Sequence, residues 1–212
     1  MPIHSTVACR GIALAMRWLV KSRDEITAEM RRWSEHFIEQ PDPVFGGLPI
    51  CPFAKAARLK CSIRFEVLSF ASDPFEPDSR VVTLIGEFLG DERLETLFVI
   101  HPETDRIGAR ALEAWVERLN ARLAVSAVTR DLQAFEAHPD SEFSIGGVYT
   151  RRSPYPSFQV LRRSLLKDAS DSLLGSSYYN HFTPEMLDAV GIPRDSGNTY
   201  SVVAPHGTEG RP

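Results

Sequence analysis

Apolar residues recur every three to four positions in several parts of the chain, and this spacing predicts amphipathic helices. The first helix begins at a capping box, 22–25, and ends before Pro41. Two further apolar stripes lie over 81–89 and 104–123, and a last short helix is expected to stop at Gly191. The apolar positions of the first helix are Ile26, Met30, Trp33 and Phe37.

Shorter apolar segments between these helices predict strands. Residues 62–70 alternate apolar and polar side chains, as a strand with one buried face does. Thr96–Ile100 is a continuous apolar run of the kind found in buried parallel strands, and a third strand ends at His138. The order β-α-β-α-β implies right-handed crossovers and parallel pairing.

The pattern changes after His138. Residues 152–156 form a proline-rich turn, and behind it Phe158, Leu161 and Leu165 are spaced three and four residues apart. This spacing predicts a helix with these three side chains on one face.

The predicted fold is a single α/β domain over residues 21–192, with a small, mainly parallel sheet of three or four strands flanked by helices. A ferredoxin-like α+β sheet is the alternative, because one strand could run antiparallel after His138. Residues 1–20 are expected to form an N-terminal extension. Residues 193–212 are polar and rich in glycine, proline and serine, so a mobile C-terminal tail is expected there.

Charge and cysteine content narrow the expected partners and compartment. The 212 residues carry a formal net charge of −4 with scattered arginines, which favours neither nucleic acid nor an anionic membrane as a partner. Three cysteines without a CxxC pair indicate a reducing cytoplasm and argue against a disulfide or zinc scaffold. The apolar stretch 11–20 is short and contains Arg17, so neither a signal peptide nor a membrane span is expected.

Two His-Pro steps, His101-Pro102 and His138-Pro139, mark the ends of two predicted strands. Proline cannot donate a ladder hydrogen bond, so each step ends its strand and leaves an imidazole at the rim of the sheet. If the strands are parallel neighbours, both imidazoles lie at one carboxyl edge, where open α/β folds place their ligands. We therefore expect the two side chains to share one cleft.

The histidine pair fits more than one chemistry. His101 and His138 could supply two metal ligands, or a general base with an electrophilic partner. Asp140 could complete a two-histidine, one-carboxylate iron site if the chain bends after Pro139. Each histidine could also be a structural residue whose hydrogen bonds are satisfied within the fold.

Cys51 precedes Pro52 at the expected start of a helix, at or near the N-cap. The helix dipole there would lower the pKa of the thiol, so Cys51 should be alkylated faster than Cys61. A cysteine before a proline can also bind haem iron through its thiolate, while a small packed side chain is the simpler alternative. Lys55 lies one turn later on the same face and could neutralise a substrate anion.

The loop 152–156 has a backbone that its two prolines restrict. Arg152 on such a loop could present two parallel N–H groups to a carboxylate or phosphate, and the alternative is an internal ion pair with a nearby acidic residue. Tyr155 is a candidate catalytic residue on the same loop. Arg162, on the helix predicted to follow, is a candidate second contact for a substrate anion.

Three motifs are LPICPFAKAA at 48–57, FEAHPDSEF at 135–143 and RSPYPSFQVLRR at 152–163. In this order and spacing, the chain resembles the uncharacterised bacterial family catalogued as domain of unknown function 1415, over roughly residues 33–192. Members of that family read CPFAK, a strand ending in HP, a second strand ending in FHPDYxF, and NRSPYP before LLRE. The chain departs from this pattern at Ser141 and Arg151, which indicates a divergent member with its own substrate. The resemblance implies no established reaction.

The leading functional expectation is a small cytoplasmic enzyme, an iron- or haem-dependent oxidoreductase that acts on a small anionic metabolite. His101 and His138 would be ligands or acid–base groups, Cys51 a ligand or thiolate, and Arg152 the contact for the anion. One alternative is a non-catalytic module that holds haem, metal or a small ligand in the same cleft. Another is a cofactor-free thiol enzyme built on Cys51. The sequence contains no Rossmann glycine fingerprint, P-loop or nucleophile-elbow serine, which disfavours nucleotide-driven and hydrolase chemistry.

Overall fold

Six α-helices and four strands are found among the residues that the computed structural model describes, which are 21–70, 73–76 and 79–192. The helices are α1 (Arg23–Trp33), α2 (Ala54–Leu59), α3 (Arg80–Gly90), α4 (Ala109–Val125), α5 (Arg163–Ser172) and α6 (Pro184–Ala189). The strands are β1 (Ile63–Val67), β2 (Thr96–Ile100), β3 (Leu132–Ala137) and β4 (Ser157–Arg162). A π-helical turn, Ser34–Ile38, continues α1, and 3-10 turns lie at Pro43–Phe45 and Ser177–Tyr179.

The extension and the tail expected over 1–20 and 193–212 lie outside the described residues. Within the described ranges, none of the helices combines the length and the apolar character that crossing a membrane requires.

The four strands form one mixed sheet in the order β1-β2-β4-β3. β1 and β2 are parallel, whereas β4 is antiparallel to both of its neighbours, β2 and β3. β1, β2 and β3 therefore point in the same direction, and β4 is inserted against them. The α/β class and the small sheet flanked by helices are confirmed. The antiparallel strand that the sequence left as an alternative is present after His138, in the interior of the sheet.

The sequence predicted a helix that carries Phe158, Leu161 and Leu165. This prediction is wrong for residues 157–162, because they form β4. Phe158 and Val160 point to one face and are fully buried, while Gln159 between them is only half-buried. β4 pairs along its length with strands on both sides, so the backbone hydrogen bonds of the sheet outweigh a helical spacing that only three residues support. Helix α5 begins where this pairing ends.

The two faces of the sheet are covered by different helices. On one face, α3 and α4 pack against Leu97, Val99, Leu132, Ala134, Phe158 and Val160, all at most 1% exposed. On the other face, α1 packs Ile26 and Met30 against Val67, Ile100 and Tyr155. Burial of a large apolar side chain contributes roughly 1.5–3 kcal/mol, so each packed face contributes strongly to stability. The predicted capping box of α1 is confirmed.

A separate aromatic cluster packs beside the sheet, and its buried members are Phe45, Ile145, Tyr178, Tyr179 and Ile192. The Tyr178 hydroxyl donates a hydrogen bond to the Ile50 carbonyl, which ties the cluster to the segment before α2. Gly46 has φ +66°, and a Cβ there would overlap the Ser177 Oγ. Gly47 has φ +81° but no atom within 4 Å of the corresponding position. The close approach of two chain segments therefore requires glycine at position 46.

Candidate functional site

The backbones of both histidines are held at the same edge of the sheet by the segment that leads into β4. The His101 N–H donates to the Pro156 carbonyl at 2.8 Å, and the His138 N–H donates to the Arg151 carbonyl at 2.9 Å. Ile100 and Ala137, which precede the histidines, are both in register with Ser157 of β4. β4 therefore lies between the two strand ends, which are about 10 Å apart at two strand spacings. The loop 152–156 lies at this edge, where the sequence predicted an open cleft.

His138 has hydrogen bonds at both ring nitrogens and is 2% exposed. Its Nε2 lies 2.8 Å from the Ile107 carbonyl, and its Nδ1 accepts from the Asp140 N–H at 3.0 Å. These partners assign the neutral tautomer with the proton on Nε2. The Asp140 carboxylate is 88% exposed and approaches Nδ1 only to 3.9 Å. His138 thus connects the end of β3 to the start of α4.

His101 is fully buried, and its Nε2 has no hydrogen-bond partner among the described residues. Its Nδ1 lies 3.2 Å from the Glu103 N–H and 3.1 Å from the Glu103 carbonyl, so either neutral tautomer has a partner there. Burial lowers the pKa of His101, which favours the neutral ring. Its ring packs edge-on against Phe70, with 5.3 Å between the ring centroids.

The sequence predicted that His101, His138 and Asp140 could together bind a metal ion, and the positions of their side chains bear on this prediction. In the part of the chain that the structure describes, no group of three or more histidine, cysteine, aspartate or glutamate side chains is arranged to hold a metal ion. His138 would have to give up one of its two hydrogen bonds to become a ligand. Of the two histidines, only His101 has a ring nitrogen, Nε2, without a hydrogen-bond partner among the described residues.

Cys51 lies before α2, beside the aromatic cluster, and its environment contradicts the predicted reactivity. The N-cap of α2 is Phe53, two residues later, and α2 has only six residues. Burial raises the pKa of the Cys51 thiol, and the nearby Glu39 carboxylate adds to this; the backbone N–H groups of Phe53 and Ala54 oppose it without reversing the direction. The predicted fall in pKa is therefore wrong. Lys55 lies on the exposed side of α2.

Tyr155 is 4% exposed and connects the loop 152–156 to α1. Its hydroxyl donates to a carboxylate oxygen of Glu29 at 2.5 Å and accepts from the Lys21 ammonium at 3.1 Å. Burial, followed by the bond to Glu29, raises the pKa of Tyr155. The Ser153 hydroxyl donates to the Tyr155 carbonyl at 2.6 Å and fixes the loop locally.

Arg152 and Arg162, the two predicted anion contacts, lie at opposite ends of β4. The Arg152 Nε donates to the Ser141 carbonyl at 3.0 Å, and its guanidinium lies 3.6 Å from the centre of the Tyr149 ring. Its internal partner is thus a backbone carbonyl, whereas an acidic side chain was the alternative expected from the sequence. Arg162 is the last residue of β4, so its predicted place on a helix is wrong. Its guanidinium lies 5.3 Å from the centre of the Phe88 ring, away from the histidine edge.

A groove of about 460 Å³ opens between the start of α4 and the segment 138–143 that follows β3. α4 begins at Ala109, later than the predicted stripe from 104, and its N-cap Gly108 provides no side-chain hydrogen bond. The first N–H groups of α4 therefore lack a capping side chain, and the positive end of the helix dipole lies at the groove. His138 lines the groove from the strand side.

Charge is distributed unevenly around this groove. Arg110 lines it at the start of α4, and the other charged residues that line it are acidic, namely Glu113, Glu136, Asp140 and Glu142. Glu136 differs from the other three because its carboxylate is paired with the Arg151 guanidinium. The groove thus combines an anion-attracting wall with exposed carboxylates that attract cations.

The sequence singled out His138 and Asp140, which line this groove, but it did not indicate the wall formed by residues 108–111 or the pairing of Glu136 with Arg151. A glycine directly before a helical stripe was a usable signal, because it marks a helix start without a capping side chain. The pairing of Glu136 with Arg151 joins residues that are 15 positions apart, and no local pattern in the sequence marks it.

A family model described as "Protein of unknown function (DUF1415)" matches residues 25–181, which is well over half of the chain. The matched region runs from α1 to the aromatic cluster and includes both histidines, the groove and the loop 152–156. No curated protein and no solved structure matches the chain.

Proposed function

Because the chain belongs to the DUF1415 family, whose function is unknown, we propose a function from the geometry of the groove: the protein binds a small zwitterionic metabolite there. The observation that carries the proposal is the division of charge around a groove at the carboxyl edge of the sheet. A volume of about 460 Å³ is within the usual range for a small-molecule site. The sequence led us to expect an anionic metabolite, and the ligand proposed here carries a cationic group in addition to the anionic one.

The start of α4 is suited to the anionic group of the ligand. Its uncapped N–H groups can donate to a carboxylate or phosphate, and the helix dipole and Arg110 add positive charge. The cationic group is suited to the opposite side, where Asp140 and Glu142 are exposed carboxylates. An anion without a cationic group would be repelled by these carboxylates, so the ligand should carry both charges.

A thermal-shift screen tests this function with a series of α- and ω-amino acids. The matched controls for each are the carboxylic acid that lacks the amine and the amine that lacks the carboxylate. Amino acids should raise the melting temperature and both controls should not; at 100 times Kd the stabilisation is about 2.7 kcal/mol. Equal shifts by the acids alone would contradict the zwitterionic ligand, and no shift by any probe would contradict the site.

Two variants assign the two walls of the groove. Ala109→Pro removes one N–H at the first position of α4, where proline is compatible with a helix, and should weaken binding of every carboxylate-bearing probe. Asp140→Asn should weaken binding only of probes that carry an amine. Glu117→Gln, at an exposed position of α4 outside the groove, is the control and should change neither.

The iron- or haem-dependent oxidoreductase expected from the sequence is a second proposal, and His101 favours it. If Nδ1 donates to the Glu103 carbonyl, the lone pair of Nε2 is free to bind iron. Metal analysis and an absorption spectrum of protein purified under reducing conditions test this, with His101→Ala as the comparison. A Soret band selects haem, and iron without that band selects a direct iron site. Equal iron or haem content in the wild type and the variant would contradict a ligand role for His101.

A further inference from the structure

We infer that Arg151 is a specificity-determining residue of the groove, because it neutralises the one groove carboxylate that is largely shielded from solvent. This inference rests on the function proposed above. The Arg151 guanidinium is ion-paired with Glu136, and the two side chains are 23% and 14% exposed. Glu136 lines the groove, whereas Arg151 does not, so the arginine acts from outside the ligand space.

Aromatic contacts hold the Arg151 guanidinium in place. Its central carbon lies 3.8 Å from the centre of the Phe143 ring and 6.0 Å from that of Phe135. Phe143 also lines the groove, so Arg151 contacts both an aromatic ring and a carboxylate of the groove wall. A planar guanidinium can stack on a ring and pair with a carboxylate at once, which an ammonium group does less well.

The segment that carries Arg151 is fixed as well. The Arg151 carbonyl accepts the N–H of His138, and the next residue, Arg152, donates to the Ser141 carbonyl of the groove wall. Two consecutive arginines therefore contact residues of the groove wall without lining the groove. Arg151 pairs with the Glu136 carboxylate, and Arg152 donates a hydrogen bond to the backbone of Ser141. Of the two, only Arg151 is paired with a groove carboxylate among the described residues.

The consequence concerns ligand choice. While Arg151 pairs with Glu136, the carboxylates free to meet the ligand are Glu113, Asp140 and Glu142, all at exposed positions. Without Arg151, Glu136 adds an unpaired negative charge at a position with little solvent screening. The groove should then favour a ligand with two cationic groups over a zwitterion. Arg151 thus selects amino acids over diamines.

The test measures the dissociation constants of an amino acid and of the diamine of equal chain length. The full chain is used, and the probe is the amino acid with the largest thermal shift. Arg151→Gln should shift the ratio of the two constants toward the diamine by on the order of tenfold, as expected for one uncovered charge near the ligand. The shift should shrink at high salt, which loss of structure alone would not produce.

Two further variants separate charge from folding. Arg151→Gln combined with Glu136→Gln removes both charges and should restore the wild-type ratio. Glu136→Gln alone leaves Arg151 unpaired and should shift the ratio toward the amino acid, which tests the inference even if Arg151→Gln does not fold. A ratio that is the same in all variants would overturn the inference and leave the proposed function intact. A wild type that binds no amino acid would overturn both.

Discussion

Replacing Tyr155 by phenylalanine separates a structural role from the catalytic role expected for this residue. The ring stays buried in the variant, since Tyr155 is 4% exposed and phenylalanine fills nearly the same space. The loss is the hydroxyl, which donates at 2.5 Å to the Glu29 carboxylate. A hydrogen bond to a charged group contributes about 1.5–3 kcal/mol. Because the Glu29 side chain is 28% exposed and also pairs with Lys21, we expect a loss near or just below the lower end of this range, about 1–2 kcal/mol.

Urea unfolding followed by circular dichroism measures this change, and a thermal scan should show a fall of about 2–8 °C for a protein of this size. Tyr149→Phe, at a tyrosine that is 41% exposed, is the matched control and should stay within about 0.5 kcal/mol of the wild type. Glu29→Gln should destabilise by a similar amount, and the double variant should lose less than the sum of the two. A Tyr155→Phe protein as stable as the Tyr149→Phe control would refute the structural role.

Three further predictions concern the two described cysteines, the ion pair of Glu39 with Arg58, and two glycines. Iodoacetamide should alkylate Cys61, which is exposed, faster than Cys51, because burial raises the pKa of the Cys51 thiol. Mass spectrometry of the two peptides measures the two rates, and faster labelling of Cys51 would contradict this order. The Arg58 guanidinium holds the pKa of Glu39 below its usual value, so the stability from this pair is present above the unfolded pKa and is lost as pH falls through the folded pKa. Urea midpoints between pH 7 and 3 should therefore fall less in Glu39→Gln than in the wild type, and equal slopes would contradict the pairing. Gly46→Ala should destabilise the protein by about 2–4 kcal/mol, because it adds both the strain of a left-handed backbone and a steric overlap. Gly47→Ala adds only the strain and should destabilise by about 1–2 kcal/mol. Equal losses in urea unfolding would show that the overlap at position 46 is relieved.

Signals within a few residues of one another predicted the local structure well. The capping box at Ser22 and Glu25 marks the start of α1, and the His-Pro steps mark the ends of β2 and β3. Each of these signals acts through backbone groups of its own segment, so the rest of the fold does not alter it. The class of the fold followed from the order of these segments.

The assignment of residues 157–162 failed because it depends on strands that are far away in the sequence. The segment has apolar residues at positions that suit either a helix or a strand, and only its pairing with β2 and β3 decides between them. A short apolar run without a turn signal on its far side is ambiguous on periodicity alone. Phe158 and Val160 are the local residues whose types favoured a strand.

The chemistry of side chains was less predictable than their position. Cys51 lies near Tyr178, a residue more than one hundred positions away, whose hydroxyl donates to the carbonyl of Ile50. His138 finds its Nε2 partner in the carbonyl of Ile107, 31 residues earlier. Burial and hydrogen-bond partners of this kind arise from tertiary contacts, and these set the pKa of a thiol or the tautomer of an imidazole.

The position of β4 has a consequence for the order in which the chain can fold. β4 is a central strand, yet residues 157–162 emerge from the ribosome after β1, β2 and β3. Until they arrive, β2 has an unpaired edge and β3 has no partner in the sheet, so the nascent chain exposes backbone groups that can pair with other chains. The sheet is completed only when this late segment inserts, and a truncation before residue 157 should yield an aggregating chain and no smaller folded domain. The synthesis of residues 157–162 therefore determines when the groove beside β3 can form.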